Sequence, residues 1–359
     1  MIKIIQTMKK QLLFIMLITL TVVTTAYSQN YITQVKPAGS KFWGYANIKG
    51  ELIIPAQYEK CYRFSEDGYA TIYDTKTRQY FFINTKGERL NTEIVSFKLR
   101  DGLGADMDGF NEGLIGVKVG EKWGFLNTSG KLAIPAKYDN VSEFNSGHAV
   151  AKMGSTYIIL DTQGKETMVQ LGGIIEVNEF NENLASFRAM DKNMGFLGID
   201  GKVAITPQYE SVGIFTNGLA WAKTSSGSVG YINSKGEWAI PPQYASAKNF
   251  DVSTGLARIK TTTGTWAYTN KTGELTYVND TETWNDFSDG LAEGKKTDRK
   301  GFYDSKGKWI IPPQFEGVRD FKNGYAAAKM GGKWGVIDKT GKWVIQPMFE
   351  GIKDMELVK

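Results

Sequence analysis

This chain has one cysteine and one histidine in 359 residues. A single thiol forbids an intrachain disulfide, so stability has to come from packing. A single histidine, His148, removes most nucleophile triads and every two-histidine metal site. Long apolar runs are equally scarce. The only one, Leu12 to Val23, is shorter than the roughly 20 residues a membrane helix needs. Excess charge is also missing. Residues 1–28 carry three lysines and no acid, which leaves 40 basic against 38 acidic side chains in the rest. Such balance argues against a nucleic-acid partner, which requires a clustered basic face.

What is present is a period. Lys41-Phe42-Trp43-Gly44-Tyr45, Lys122-Trp123-Gly124-Phe125 and Lys333-Trp334-Gly335-Val336 state one phrase plainly. The motif glycine, or the residue in its place, recurs at Gly44, Phe81, Gly124, Ile158, Gly195, Gly230, Ala267, Gly301 and Gly335, at intervals of 34 to 43 residues. These positions define units 1 to 9.

Each unit reads as three strands. In the last, Gly324 to Lys329 is a first strand, Lys333 to Ile337 a second, and Trp343 to Ile345 a third that Pro347 is expected to stop. The turn before the third strand ends on glycine in all nine units, from Gly50 to Gly341, and opens with Asn or Asp in eight; Gly198 is the exception. That chemistry fits a type I turn closed by a left-handed glycine. A glycine in the middle of a strand implies close approach by a neighbour, and a Trp or Phe ring is the expected occupant at Gly124 and Gly335. Tyr58, Tyr138, Tyr209, Tyr244, Phe315 and Phe349 follow the proline region, and Phe64, Phe144, Phe215, Phe250 and Phe321 come six residues later. No single unit can bury these rings, so stacking must supply a continuous core.

The expected fold is therefore all-β, a tandem array of about nine three-stranded antiparallel meanders. An open superhelix is favoured over a β-propeller, because three strands fall short of a four-stranded blade. These residues resemble the WG repeat, also called the KWG repeat, found in many bacterial proteins. The resemblance runs from about residue 41 to 354 and implies a repeat scaffold without implying a reaction. Units 2, 4 and 7 depart from it: Phe81, Ile158 and Ala267 replace the glycine, and the same three units lack the proline.

Residues 1–28 read as a signal peptide. Lys9 and Lys10 precede the apolar run, and Ala26-Tyr27-Ser28 offers a cleavage site before Gln29, with either Met1 or Met8 as the start. This places residues 29–359, the repeat domain, in the periplasm or outside the cell, with no membrane insertion after cleavage.

Candidate chemistry is thin. Cys61 falls in an apolar slot, where a free thiol packs as a small hydrophobe. His148 falls at a strand position with no catalytic duty. Glu59, Asp139, Glu210, Glu316 and Glu350 recur in register after the repeat aromatic, as structural residues do, and no acid pair at glycosidase spacing stands out. The 43-residue interval holds Asp101-Gly102-Leu103-Gly104-Ala105-Asp106-Met107-Asp108-Gly109-Phe110-Asn111-Glu112, acid-rich but without an ordered calcium loop. A hairpin tip is the expectation there. Glu166 to Asn181 reads as a drifted repeat. Trp238, Trp309 and Trp343 share a slot with leucines, whereas Trp221 has no apolar counterpart and is a candidate exposed sugar platform. No catalytic, metal or cofactor site is expected. The function expected is a non-enzymatic exported scaffold for a protein or envelope component, with glycan binding as the alternative.

Overall fold

The computed structural model describes residues 30–94, 96–99 and 109–358, all in strands, turns and loops. The proposed signal peptide lies outside these residues. Unit 9 shows the plan. Tyr325–Met330 pairs with Lys333–Asp338, which pairs in turn with Trp343–Ile352. Proline does not stop this third strand. On the middle strand only Gly335 separates Trp334 from Val336, whereas on the third strand Gln346, Pro347 and Met348 separate their partners Ile345 and Phe349. Three residues opposite one form a bulge, and a bulge is where a sheet tolerates proline.

The bulge corrects the expected occupant of the motif glycine. It is third-strand backbone, not a ring. A β-carbon on Gly44 would lie 2.7 Å from the Ala56 nitrogen, and one on Gly124 would lie 2.5 Å from the Ile134 oxygen. At Gly335 a ring, that of Trp343, adds to the backbone contact, 2.8 Å from the β-carbon position. Units 4 and 7, which lack both glycine and proline, pair their third strands without a bulge, through Ile158↔Met168 and Tyr268↔Thr276. Unit 2 reduces its third strand to one bridge, Ile83↔Arg89.

The turn glycines behave as their spacing indicates. Gly50, Gly236 and Gly341 have φ of 80°, 80° and 82°. At the first of these turns, Asn47 Oδ1 accepts hydrogen bonds from the Lys49 and Glu51 amides at 2.9 and 3.1 Å.

Several sheets gain a further strand from the neighbouring unit. The third strand of unit 6, Trp238–Ala247, runs on past its own sheet and pairs with Ala257–Thr261 of unit 7. Shorter versions occur at Asn140–Val141, Ser211–Val212 and Gly317–Val318. Glu166 to Asn181 is likewise repeat material: Glu166–Met168 closes unit 4, and Ile174–Asn181 opens the sheet of unit 5.

The favoured open superhelix gives way to closure at the chain ends. Asn30–Pro37 is the first strand of unit 1, and it pairs with the end of Trp343–Ile352 through Val35↔Ile352 and Lys36↔Gly351. Glu356–Val358 then pairs with Asn30 to Ile32. Contacts between turns and strands repeat the message. Gly341 packs on Ile311, Gly236 on Ile205 and Gly164 on Ile134, each on the unit before its own, and Gly50 of unit 1 packs on Ile345 of unit 9. Unit 9 treats unit 1 as its successor, which is the propeller-like alternative.

The core follows this ring. The residue after the motif position meets the tail phenylalanine that leads into the next unit: Tyr45 with Phe64, Phe125 with Phe144, Phe196 with Phe215, Phe302 with Phe321. Ring centroids are 4.6 to 4.8 Å apart in edge-on geometry. Such pairs add about 1 kcal/mol each to their buried area. In unit 9 the same positions are Val336 and Met355, which share one buried cluster with Val35 of unit 1.

Candidate functional site

The recurring carboxylates come first, because an enzyme on this scaffold would draw on them. Each serves the hairpin ahead of it. Asp139 accepts from the Gly154 amide at 2.6 Å and from Lys122 at 2.5 Å. Glu316 accepts from the amides of Gly331 and Gly332 at 2.9 and 3.0 Å. Glu350 of unit 9 accepts from Gly39 of unit 1 at 3.0 Å. These bonds favour the ionised form, so all three carboxyls titrate below the usual carboxylate range. Lys122 is the largest cause at Asp139, and the turn amides of Gly332 and Gly39 at the two glutamates.

A second belt lies on the hairpins that open each unit, and the sequence reading missed it. Glu112-Gly113, Asn217-Gly218 and Asn323-Gly324 all have positive φ at both positions, the two-residue type I′ turn that Asn-Gly and Asp-Gly favour. A side chain from one such turn caps the next. Asp67 accepts from Gly113 at 2.9 Å, Glu112 from Gly147 at 3.0 Å, and Glu182 from Asn217 and Gly218 at 2.6 and 2.9 Å. The available signal was an acid or amide immediately before glycine at the head of the first strand in units 2, 3, 6, 8 and 9.

These turns converge from distant parts of the chain. Asp67, Glu112, Glu143, Lys322, Asn323 and Glu356, from units 2, 3, 4 and 9 and the C-terminal strand, line one cavity of about 480 Å³. Lys322 pairs with Glu356 at 2.7 Å across it. Among the described residues, no three His, Cys, Asp or Glu side chains are grouped to hold a metal ion. Asp101 to Asp108 of the acid-rich interval lie outside the described residues. Glu112, its last member, is engaged by the turn of unit 4.

The single-copy residues sit in structural places. Cys61 packs at the edge of a core cluster with Tyr45 and Phe64, and burial pushes its thiol pKa up, away from a reactive thiolate. His148 Nδ1 lies 2.9 Å from the Ser146 carbonyl, which can only accept, so this nitrogen is assigned the proton. Its ring rests 5.7 Å from that of Phe180. Trp221 is no open platform. It is half-buried against a core cluster, with its indole nitrogen where a β-carbon on Gly213 would be. Trp238, Trp309 and Trp343 stand edge-on to Tyr209, Tyr303 and Phe315 at 5.7, 5.5 and 5.6 Å.

The family follows from the repeat itself. The sequence pattern of the "WG containing repeat" matches residues 43–73, 106–123, 123–157, 194–225, 230–266, 301–334 and 334–356, more than half of the chain. The chain belongs to the WG-repeat family. The motif positions of units 2, 4 and 7, Phe81, Ile158 and Ala267, fall outside the WG matches, and these are the same units that lack the bulge. No curated protein matches the sequence. Solved structures that are similar at low identity include the following three. The computationally designed Ika8 protein aligns over 79% of this chain and 93% of its own, with 12% identity and a TM-score of 0.44. BamB from Moraxella catarrhalis aligns over 78% and 91%, with 13% identity and a TM-score of 0.39. Citrobacter koseri AztD aligns over 91% and 98%, with 9% identity and a TM-score of 0.40. Scores below 0.5 leave the WG-repeat ring standing on its own strand pairing.

Proposed function

We propose that this WG-repeat protein is an exported, non-enzymatic scaffold that binds a protein or an envelope component across an extended surface. The observation that carries this reading is the commitment of the recurring carboxylates to neighbouring turns. A hydrolase would need such groups free and paired around a cleft. Exposed apolar side chains supply a contact surface. Met153, Met168, Ile175 and Met190 stand open on units 4 and 5, and Met190 is 72% exposed. Unbranched thioether side chains adapt to a partner's shape. Export rests on Lys9, Lys10, the run Leu12 to Val23 and the small residues before Gln29.

The test is affinity capture from envelope extract with the purified protein, repeated with Met190→Lys, beside a broad hydrolase screen. A retained component that Met190→Lys releases supports the reading. No retained component, together with measurable turnover, overturns it. Cell fractionation with N-terminal sequencing checks export: the mature chain should begin at Gln29.

A further inference from the structure

Unit 2 exposes what the other units cover. In the glycine-bearing units, the bulged third strand lies across the middle strand. Here, among the described residues, the backbone of the middle strand Gln79–Asn84 bonds to following chain only near its far end, through the Ile83↔Arg89 bridge and a 2.9 Å bond from the Leu90 amide to the Phe82 carbonyl. A cleft of about 340 Å³ opens beside it, between units 1 and 2. Its walls include four aromatic rings, Phe42, Tyr58, Tyr73 and Phe81, with Phe42 40% exposed. Hydrogen-bonding groups line the same cleft. Glu59 Oε2 accepts from the Thr75 hydroxyl, and Asp74 Oδ1 accepts from the Lys76 and Thr77 amides at 2.9 and 3.2 Å. Bonds from Thr77 and Lys76 also keep the Asp74 carboxyl below its ordinary range.

Rings beside fixed carboxylates suit two ligand chemistries, a cation caged by π faces or a saccharide. The protein's own cations decide between them. Lys60 Nζ stands 5.4 Å from the Tyr73 centroid, and the Arg89 guanidinium stands 4.6 Å from that of Phe81. Two of the four rings already meet a positive charge, so an incoming cation would be repelled where a cage should attract it. A neutral pyranose has no such conflict. Its C–H face stacks on the rings, and its edge hydroxyls donate to ionised carboxylates, which are strong acceptors. The volume is at the lower end of the roughly 300 to 1,000 Å³ usual for ligand pockets, enough for one or two sugar rings.

We propose that this cleft binds a neutral saccharide, with Phe42 as the stacking platform and Glu59 as a hydroxyl acceptor. The proposal goes beyond the scaffold reading and holds whether or not a protein partner exists.

Saturation-transfer NMR on the purified protein tests it, with cellobiose, N,N′-diacetylchitobiose and maltose as probes and tetramethylammonium as the rival. At least one disaccharide should receive saturation. Its affinity should fall about tenfold in Phe42→Ala and several-fold in Glu59→Gln, and should be unchanged in Trp238→Ala. Phe42 is an exposed loop residue, so an unchanged urea midpoint should accompany its loss. Co-sedimentation with chitin or cellulose would identify a polymer as the source. Disaccharide binding without sedimentation would identify a free oligosaccharide. Three results would each overturn the proposal: no disaccharide receives saturation, the affinity survives Phe42→Ala, or tetramethylammonium binds at this cleft in preference to all three sugars.

Discussion

A β-carbon on Gly44 would stand 2.6 Å from the carbonyl oxygen of Ile54. The glycine on one strand and the proline on the next are thus one device. The bulge that admits proline pushes backbone onto the middle strand, and only glycine leaves room for it. Units 2, 4 and 7 lack both residues together, as expected if neither has a purpose alone.

Gly124→Ala should therefore destabilise by about 1 to 3 kcal/mol, and Gly124→Val by at least as much, because the obstacle is backbone that cannot rotate away. The opposite change in unit 7, Ala267→Gly, should cost about 1 kcal/mol, since that strand has no bulge and the methyl is buried. Urea midpoints measure all three. A neutral Gly124→Ala would refute the close approach.

The turn glycines should separate by their surroundings and not by φ alone. At Gly331 nothing lies within 4 Å of the β-carbon position, so Gly331→Asn should cost only a few tenths of a kcal/mol, asparagine being at ease in left-handed backbone. At Gly341 the side chain of Ile311 is 3.1 Å away and must shift, so Gly341→Asn should cost about 1 kcal/mol. At Gly130 the β-carbon would run into the Asn91 carbonyl, and Gly130→Asn should be the worst of the three. The same midpoints rank them.

Acid should loosen the ring through its capping carboxylates. Asp139, Glu316 and Glu350 titrate lower in the folded chain than in the unfolded one, where ordinary values are about 4. Their contribution is complete above the unfolded value and is lost as pH falls through the depressed folded value. Stability should hold from neutral pH to about 5 and then decline. Glu316→Gln should show a shallower acid limb that converges with the parent at low pH. Denaturation midpoints across that range decide it; parallel limbs would remove Glu316 from the account.

The turns were legible because their chemistry is local. Asn47 and Gly50 lie three residues apart, and nothing beyond that segment is needed to infer the left-handed glycine. The meander and the phenylalanine core followed from the period. Closure was not legible, because Val35 and Ile352 lie at opposite ends of the chain and the strand Asn30–Pro37 carries none of the repeat's marker residues. The glycine's occupant was hidden for a related reason: sequence shows that space is needed without showing who fills it. Trp221 misled because its neighbour across the sheet, Gly213, makes room for an indole that its own register does not announce.

Joining the ends should be harmless. A circular permutant that links the C-terminal strand to Asn30 and opens the chain at Gly331-Gly332 should keep the parent's circular dichroism and melt within a few degrees of it. Failure of this permutant to fold, with the linker alone tolerated, would contradict the equivalence of units 9 and 1.

Closure also fixes how many units the protein can have. An open stack gains or loses a copy at its tip and forfeits one interface. Here a deletion would leave Trp343–Ile352 facing the wrong angle to meet Asn30–Pro37, so the count is locked even where the motif has decayed. Unit 2 lacks the glycine, the proline and most of a third strand, yet it still spans the angle that lets the last unit reach the first. A copy that cannot be discarded is free to change.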